Sequence, residues 1–189
     1  MRKTALIILH PGFEEIEAIT PIDLLSRADI EVVQASVNDE QLVEGRSGIT
    51  LQTTHSLAEV VDRSFDVVIL PGGPGIMALR NHPAVCQLLR KQSEARRLTA
   101  CICAAPLLLK DAGILEGFNY TAHTSTTDEL PLASGNSFVL DRHILTSRGA
   151  GTATEFALAI VRNLQGDALV ETIADSICWP HPTPSLHAG

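Results

Sequence analysis

Two cysteines one residue apart, Cys101 and Cys103, lie in the stretch LTACICAAPLLL, where an apolar run meets a proline. A strand through this run must end before Pro106, which suits the first turn of a helix. Cys103 therefore falls at a strand-to-helix turn, where the free N–H groups of a helix start favour thiolate over thiol. We expect Cys103 to be a nucleophile and Cys101 a buried core residue. On these residues alone, a second buried thiol explains Cys103 equally well.

A glutamate on the first predicted helix is the second candidate for chemistry. In HPGFEEIEAITPIDLL, Glu14 and Glu15 fall at a helix start, and we expect both to be solvated. Glu17 lies four residues before Pro21, whose ring removes the helical partner of the carbonyl of residue 17 and predicts a kink there. A carboxyl group at such a break can retain its proton near neutral pH and act as acid or base. A surface glutamate on an acidic helix is the alternative.

Two further stretches offer groups for the same site. Gly72 and Gly73, in LPGGPG, follow a buried strand, and backbone N–H groups there can approach a ligand oxygen as an oxyanion hole requires. Pro-Gly-Gly is equally good turn chemistry, and the phosphate-loop pattern is missing. His123 follows a short β-like run and can orient or protonate an oxygen near the thiol. A histidine with its hydrogen bonds satisfied within a loop is the alternative.

Apolar strands that alternate with amphipathic helices must position these residues. Runs that are apolar throughout indicate strands covered on both faces, so we predict a mostly parallel sheet between two helical layers, an α/β/α sandwich. Ligands should bind at the carboxyl ends of its strands. The predicted strands are 4–10, 30–36, 65–73, 98–104 and 143–149, and the predicted helices are 14–28, 83–97 and 152–166.

Length, composition and charge limit the number of domains and the kinds of partner that this chain can have. The 189 residues suit one domain, which we place at 1–176, with a flexible tail at 177–189. Fourteen basic against twenty-two acidic residues give a net charge of −8, which argues against a nucleic-acid-binding patch. The N-terminus has neither a signal peptide nor a membrane span, so we expect a cytoplasmic protein with reduced thiols. Cys86 is expected to pack in the core, and Cys178 is undecided.

Four motifs, taken in order, resemble one known family. GFEEIEA, DVVILPGG, CICAAP and ILTSRGAGTATEFALAIV are similar to the ThiJ/PfpI superfamily, in the branch of the parkinsonism-associated deglycase and its bacterial relatives. The resemblance implies a flavodoxin-like sandwich, usually dimeric, with Cys103 as the reactive cysteine and Glu17 as its protonated hydrogen-bond partner. It also implies oxyanion N–H groups from Gly73 and Ala104, and His123 beside the pocket.

The sequence departs from the family at several places. Relatives carry Cys-Ser-Arg-Gly where this chain reads EGRSG, so Ser47 stands at the arginine position and Arg46 one position earlier. This places in doubt a contact between an arginine and the pocket of the dimer mate. Ala150 and Thr124 each replace a proline near the pocket. His181 and His187, in the predicted tail, are spaced too loosely for a metal site.

The resemblance implies an enzyme without metal or other cofactor that acts on α-oxoaldehydes, converting methylglyoxal to lactate. Glycated protein or nucleotide is a further substrate class, with Cys103 as nucleophile and Glu17 as acid and base. The alternative is an oxidative-stress sensor or redox-regulated chaperone in which Cys103 is oxidised to a sulfinate without turnover. A cysteine protease or amidase ranks lowest, because Asp128 and Glu129 are too loosely placed to complete a triad with His123.

Overall fold

Runs of valine, isoleucine and leucine form the sheet of the computed structural model, which describes residues 2–180. The strands are β1 (Thr4–Leu9), β2 (Glu31–Ser36), β3 (Leu42–Glu44), β4 (Thr50–Gln52), β5 (His55–Ser56), β6 (Val67–Leu70), β7 (Leu98–Ile102), β8 (Phe138–Asp141) and β9 (Ile144–Ser147). Seven of them make one sheet in the order β5-β2-β1-β6-β7-β9-β8, and all neighbours are parallel except β8 and β9. A separate antiparallel hairpin joins β3 and β4.

Helices cover both faces of this sheet, and the side chains of β1 show why. The helices are α1 (Glu15–Arg27), α2 (Leu57–Val60), α3 (Pro83–Glu94), α4 (Pro106–Asp111), α5 (Ala153–Gln165) and α6 (Asp167–Ser176). Ile7 and Leu9 of β1 pack with α1, α5 and α6, whereas Leu6 and Ile8 point to α2, α3 and α4, and all four are fully buried. The predicted mostly parallel three-layer sandwich is therefore confirmed.

The first helix differs from the prediction. α1 runs without interruption from Glu15 to Arg27 with Pro21 inside it, so the helix is not broken at Glu17. Pro21 removes one backbone hydrogen bond, but it lies on the buried face of a helix that packs along α5. Glu17 is buried because it lies in the first turn of α1, facing the sheet, and not because the helix is broken.

The chain after α6 continues to pack against the core. Ile177 and Trp179 are partly buried against the cluster that contains α5 and α6, and the Trp179 N–H donates to the carbonyl of Ala174 at 2.8 Å. Residues 181–189, with His181 and His187, lie outside the described residues. Between residues 2 and 180, no helix combines the length and the apolar character needed to cross a membrane.

Candidate active site

Cys103 occupies a sharp turn between β7 and α4. Its φ of 65° lies in the left-handed region that residues with a side chain seldom adopt. Two hydrogen bonds hold it there: its N–H donates to the carbonyl of Ser147, and its carbonyl accepts from the N–H of His123, each at 2.9 Å. The turn directs a partly buried thiol into a pocket at the carboxyl ends of the central strands.

Glu17 faces this thiol from the first turn of α1. Its side chain is 1 % exposed, and its Oε2 accepts the N–H of Gly72 at 2.8 Å. Burial is the main cause that raises the pKa of Glu17 to about 7, against the Gly72 hydrogen bond, which lowers it. Its Oε1 is buried without a hydrogen-bond partner among the described residues. A side-chain hydrogen bond links this carboxyl to the Cys103 thiol, so a proton can pass between the two groups.

Gly72 is the residue that lets the carboxyl and the thiol meet. A Cβ at this position would lie 2.6 Å from the Cβ of Cys103 and 2.8 Å from Oε2 of Glu17. Neither neighbour can retreat, because Cys103 is fixed by its backbone and Glu17 by the buried face of α1. Only glycine leaves room for the contact.

The thiol and the carboxyl titrate as a coupled pair. Burial, and next the negative charge of Glu17, raise the pKa of Cys103 to about 12. The expectation that the helix start alone makes Cys103 a thiolate is therefore wrong while Glu17 is ionised. Proton transfer from the thiol to Glu17 removes the carboxylate charge, so the sulfur becomes a nucleophile when Glu17 holds the proton.

Two backbone N–H groups point at the sulfur. Those of Gly73 and Ala104 hydrogen-bond Cys103 and act to lower its pKa, although burial outweighs them. Gly73 has a φ of 108°, a conformation that favours glycine. The two donors form a small anion hole around the atom that would attack a substrate.

His123 lines the same pocket, and its ring orientation is fixed by Ser125. The N–H of Ser125 donates to Nδ1 of His123 at 3.1 Å, and a backbone N–H can only donate. In the neutral imidazole the proton therefore lies on Nε2, which makes Nε2 a donor. Glu129 instead pairs with Arg80 at 2.7 Å and with Lys110 at 3.5 Å, so it does not complete a protease triad with His123.

All six residues singled out from the sequence meet around one cavity of about 420 Å³ or in the loop behind it. Cys103, Glu17, His123, Gly73 and Ala104 line the cavity, and Gly72 supports Glu17 from behind. An apolar wall that the sequence did not reveal comes from a 3₁₀ helix, Pro74–Leu79, and from α4. The 3₁₀ helix has only six residues, too few for a pattern of apolar residues that would predict it from the sequence. The wall residues are Pro74, Ile76, Met77 and Leu107.

From the sequence, Glu15 was misjudged and the role of Arg46 was left open. Glu15 is 5 % exposed instead of solvated, because its Oε1 accepts the N–H of Ser47 at 2.6 Å across the turn between β3 and β4. Arg46, in the same turn, lines the pocket of its own chain. The sequence EGRSG predicts a turn, but it does not show that this turn packs against the start of α1.

The other cysteines occupy different environments. Cys101 is fully buried in β7, and burial raises the pKa of its thiol well above the ordinary value. Cys86 is 5 % exposed on α3, and burial likewise raises its pKa. Cys178 is exposed after α6. Cys103 alone among these four combines partial exposure with a neighbouring acid and two N–H donors.

Known proteins resemble this chain in sequence and in structure over most of its length. The sequence pattern of the DJ-1/PfpI family matches residues 3–163. The crystal structure of Drosophila melanogaster DJ-1beta superposes with a TM-score of 0.91 at 38% identity, covering 96% of this chain and 100% of that one. An oxidized Toxoplasma gondii DJ-1 structure gives 0.90 at 30% identity, covering 95% and 100%.

A curated relative from Caenorhabditis elegans, glutathione-independent glyoxalase DJR-1.2, is 34% identical over 94% of this chain and 97% of its own length. The resemblance seen in the four sequence motifs is thus confirmed by a match that extends well beyond them. The chain belongs to the DJ-1/PfpI family.

Proposed function

We propose that this protein is a glutathione-independent glyoxalase that converts α-oxoaldehydes such as methylglyoxal into 2-hydroxy acids such as lactate. The observation that carries the proposal is the contact between the Cys103 thiol on its turn and the buried carboxyl of Glu17, whose pKa is raised to about 7. The name of the C. elegans relative adds support.

The first half of the proposed reaction joins the substrate to the sulfur. The Glu17 carboxylate takes the thiol proton while the Cys103 sulfur forms a bond to the aldehyde carbon. The carbonyl π electrons move to oxygen, where the N–H groups of Gly73 and Ala104 stabilise the negative charge. Return of the proton to this oxygen gives a hemithioacetal.

The second half moves hydrogen between the two substrate carbons. The Glu17 carboxylate removes the proton from the carbon bonded to sulfur, and Nε2–H of His123 protonates the neighbouring oxygen, which gives an enediol. Glu17 then returns a proton to the second carbon while the hydroxyl on the sulfur-bearing carbon gives its proton back to Nε2 of His123, which leaves a thioester and a neutral imidazole. Water cleaves the thioester to lactate and restores the thiol. One water is added overall, and neither an oxidant nor glutathione is consumed.

The proposed substrate class extends to early glycation adducts on protein amines or on guanine. These adducts are hemiaminals beside a ketone; the Cys103 sulfur would bond to the hemiaminal carbon while the carbon–nitrogen bond breaks and the amine leaves with a proton, which gives the same hemithioacetal. The apolar wall of Ile76, Met77 and Leu107 can contact the carbon substituent that differs between substrates.

Proton NMR of lactate formed from methylglyoxal, with protein free of metal and glutathione, tests the proposal. Wild type should produce lactate, and Cys103→Ser should not. Cys178→Ser is the matched control, because it removes an exposed thiol away from the pocket and should retain activity. Glu17→Gln should lower kcat by about 10²- to 10⁴-fold, the usual contribution of a general acid or base. Folded, reduced wild type without turnover would contradict the proposal for this substrate.

A redox sensor or redox-regulated chaperone is the second candidate. Partial exposure of Cys103, with two N–H donors and a protonatable carboxyl at the sulfur, also suits a stabilised sulfinate. Intact-mass measurement after dilute peroxide discriminates the two: selective gain of two oxygen atoms at Cys103 without aldehyde turnover favours the sensor.

The proposal places this chemistry in a cytoplasmic homodimer. Four free thiols suit a reducing compartment. Exposed Ile16 on α1 and exposed Ile49 beside β4 lie on segments that the Glu15–Ser47 hydrogen bond joins, which offers an apolar surface for a second copy. Light scattering during gel filtration tests the dimer, and a monomeric mass at micromolar concentration would contradict it.

A further inference from the structure

His10 is a buried titratable residue that the proposed mechanism leaves unused. It directly follows β1 and is 1 % exposed. Burial is the main cause that lowers the pKa of His10 below its ordinary value, against two backbone hydrogen bonds that raise it. The ring is therefore neutral near neutral pH. A neutral imidazole has one N–H donor and one acceptor nitrogen, so its two nitrogens cannot do the same work.

Both ring nitrogens of His10 face backbone carbonyl groups. Nδ1 lies 3.2 Å from the carbonyl oxygen of Pro11, and Nε2 lies 3.4 Å from that of Pro71. The neighbouring strands β1 and β6 each meet a proline just after they end, and proline has no N–H with which to continue the ladder between them. The histidine ring supplies a donor where the two backbones cannot.

Only one of these carbonyls can receive the single N–H of the neutral ring. Within residues 2–180 neither of them accepts a hydrogen bond from any other group. Pro71 is buried, whereas Pro11 is exposed and can be hydrated. An unpaired carbonyl costs more free energy where water cannot reach it. The proton therefore belongs on Nε2, from which His10 donates to Pro71.

The carbonyl of Pro71 and the N–H of Gly72 belong to one peptide unit. Because a trans peptide is planar, its C=O and N–H point in opposite directions, and holding one fixes the direction of the other. The C=O faces Nε2 of His10, and the N–H donates to Oε2 of Glu17 at 2.8 Å. The imidazole, the peptide unit and the carboxyl thus form one chain of hydrogen bonds, in which each bond polarises the next.

We propose that His10 is a positioning residue for Glu17: its Nε2–H holds the peptide unit between Pro71 and Gly72, so that the Gly72 N–H points at the carboxyl that exchanges a proton with Cys103. The value of this arrangement for turnover rests on the proposed function. Its effect on the pair of Glu17 and Cys103 can be measured without turnover.

Alkylation of Cys103 by iodoacetamide, measured as a function of pH, reports on this pair. The sulfur forms a bond to the CH₂ carbon, the carbon–iodine bond breaks, and iodide leaves. Mass spectrometry of the peptide that contains Cys103 gives the rate constant at each pH. The midpoint of the first rise is the pKa at which the pair loses its first proton, and the plateau after it is the rate of the singly ionised pair. The charges of Glu14 and Arg46, which also act on Glu17, are the same in every protein compared.

Two amide substitutions distinguish the two ring nitrogens. The amide nitrogen of glutamine lies three bonds from Cβ, as Nε2 of histidine does, whereas that of asparagine lies two bonds away, as Nδ1 does. We therefore expect His10→Gln to keep the wild-type profile. His10→Asn and His10→Leu should move the midpoint to higher pH, because the Gly72 N–H that favours the carboxylate is no longer held in line.

In His10→Asn and His10→Leu the alkylation rate at pH 7 should fall by about fivefold, the size of one hydrogen bond, while the plateau stays unchanged. A defect of packing alone would not shift the midpoint and be rescued by glutamine but not by asparagine. His55→Leu, in β5 at the edge of the sheet, is the control and should match wild type.

Wild-type protein offers a second measurement, which does not depend on how any variant folds. The two ring nitrogens of a neutral histidine have well-separated ¹⁵N chemical shifts, because only one carries a proton. In His10 the protonated nitrogen at pH 7 should be Nε2.

A proton on Nδ1 instead, equal profiles of wild type and His10→Leu, or rescue by His10→Asn as full as by His10→Gln would overturn the proposal. A shifted midpoint in His10→Leu, in a protein that makes no lactate, would support positioning by His10 and refute the glyoxalase, so the two can fail separately.

Discussion

At the scale of single residues, Glu17 and Cys103 behave as one titrating unit. Once the pair has lost its first proton it carries one negative charge, whether the remaining proton sits on oxygen or on sulfur. The desolvated pocket determines how easily that charge forms, as the pKa of Glu17, about 7, indicates. The nucleophile therefore appears by transfer within the pair and needs no separate base such as His123.

The raised pKa of Glu17 makes stability depend on pH. Below pH 4.5, the pKa of this carboxyl in the unfolded chain, Glu17 is protonated in both the folded and the unfolded state, so its burial costs no free energy for desolvating a charge. As pH rises to about 7, the folded state retains the proton that the unfolded state loses, so stability falls, by about 3 kcal/mol in total. Glu17→Gln removes this dependence. Its advantage in urea midpoint over wild type should grow from pH 4.5 to pH 8, and a constant difference would contradict the shifted pKa.

The left-handed backbone of Cys103 predicts an unusual order of stabilities. Glycine adopts a φ of 65° without strain, whereas alanine retains the strain of cysteine. We expect Cys103→Gly to be more stable than Cys103→Ala by about 1 kcal/mol in chemical denaturation. Equal stabilities, or alanine the more stable, would show that the turn is not strained.

At the scale of elements, an ion-pair network fixes the outer wall of the pocket. Arg80, just after the 3₁₀ helix, contacts Asp111 at the end of α4 at 2.6 Å and Glu129 in the segment after His123 at 2.7 Å. The Asp111 side chain is only 6% exposed. Three segments that line or support the cavity are thus joined through one guanidinium.

Loss of this guanidinium should loosen the wall. Arg80→Met leaves the carboxylate of Asp111 buried without its partner, and we expect a loss of about 2 to 4 kcal/mol in the free energy of unfolding. Arg97→Met, at an exposed arginine, is the control and should stay within about 0.5 kcal/mol of wild type. Equal effects of the two substitutions on the urea midpoint would show that the network contributes nothing specific.

The long elements could be predicted from the sequence, and the short ones could not. Strands such as β1 and β7 are continuous apolar runs because both of their faces are covered. The β3–β4 hairpin, in contrast, exposes Leu42 and has three residues per strand, too few for a pattern. The site was likewise predicted where it follows fully buried apolar strands, at Cys103 and Gly73, whereas the role of Arg46 was left open and Met77 was missed.

At the scale of the whole molecule, the last residues of the described chain complete one helical layer. Ile177 and Trp179 pack against the core that α1, α5 and α6 share. A chain ending after Ser176 should therefore unfold at lower urea than one ending after Pro180, by about 2 kcal/mol in free energy. Unfolding of both chains is followed by circular dichroism, because the shorter chain lacks Trp179, the only tryptophan, and gives no tryptophan fluorescence. Equal midpoints would place the end of the folded unit at residue 176.

The order of the strands has a consequence for assembly. The sheet ends on one side in β5, with two residues, and on the other in β8, with four residues that run antiparallel to β9. Such short edge strands present few unpaired N–H and C=O groups to a strand from another chain. Growth of the sheet from one molecule into the next is thereby discouraged, and this protects a protein rich in valine and isoleucine from fibrous aggregation. We therefore expect a second copy to contact helices or the side chains beside the β3–β4 hairpin, which would keep the pocket-bearing ends of the central strands outside any continuous intermolecular sheet.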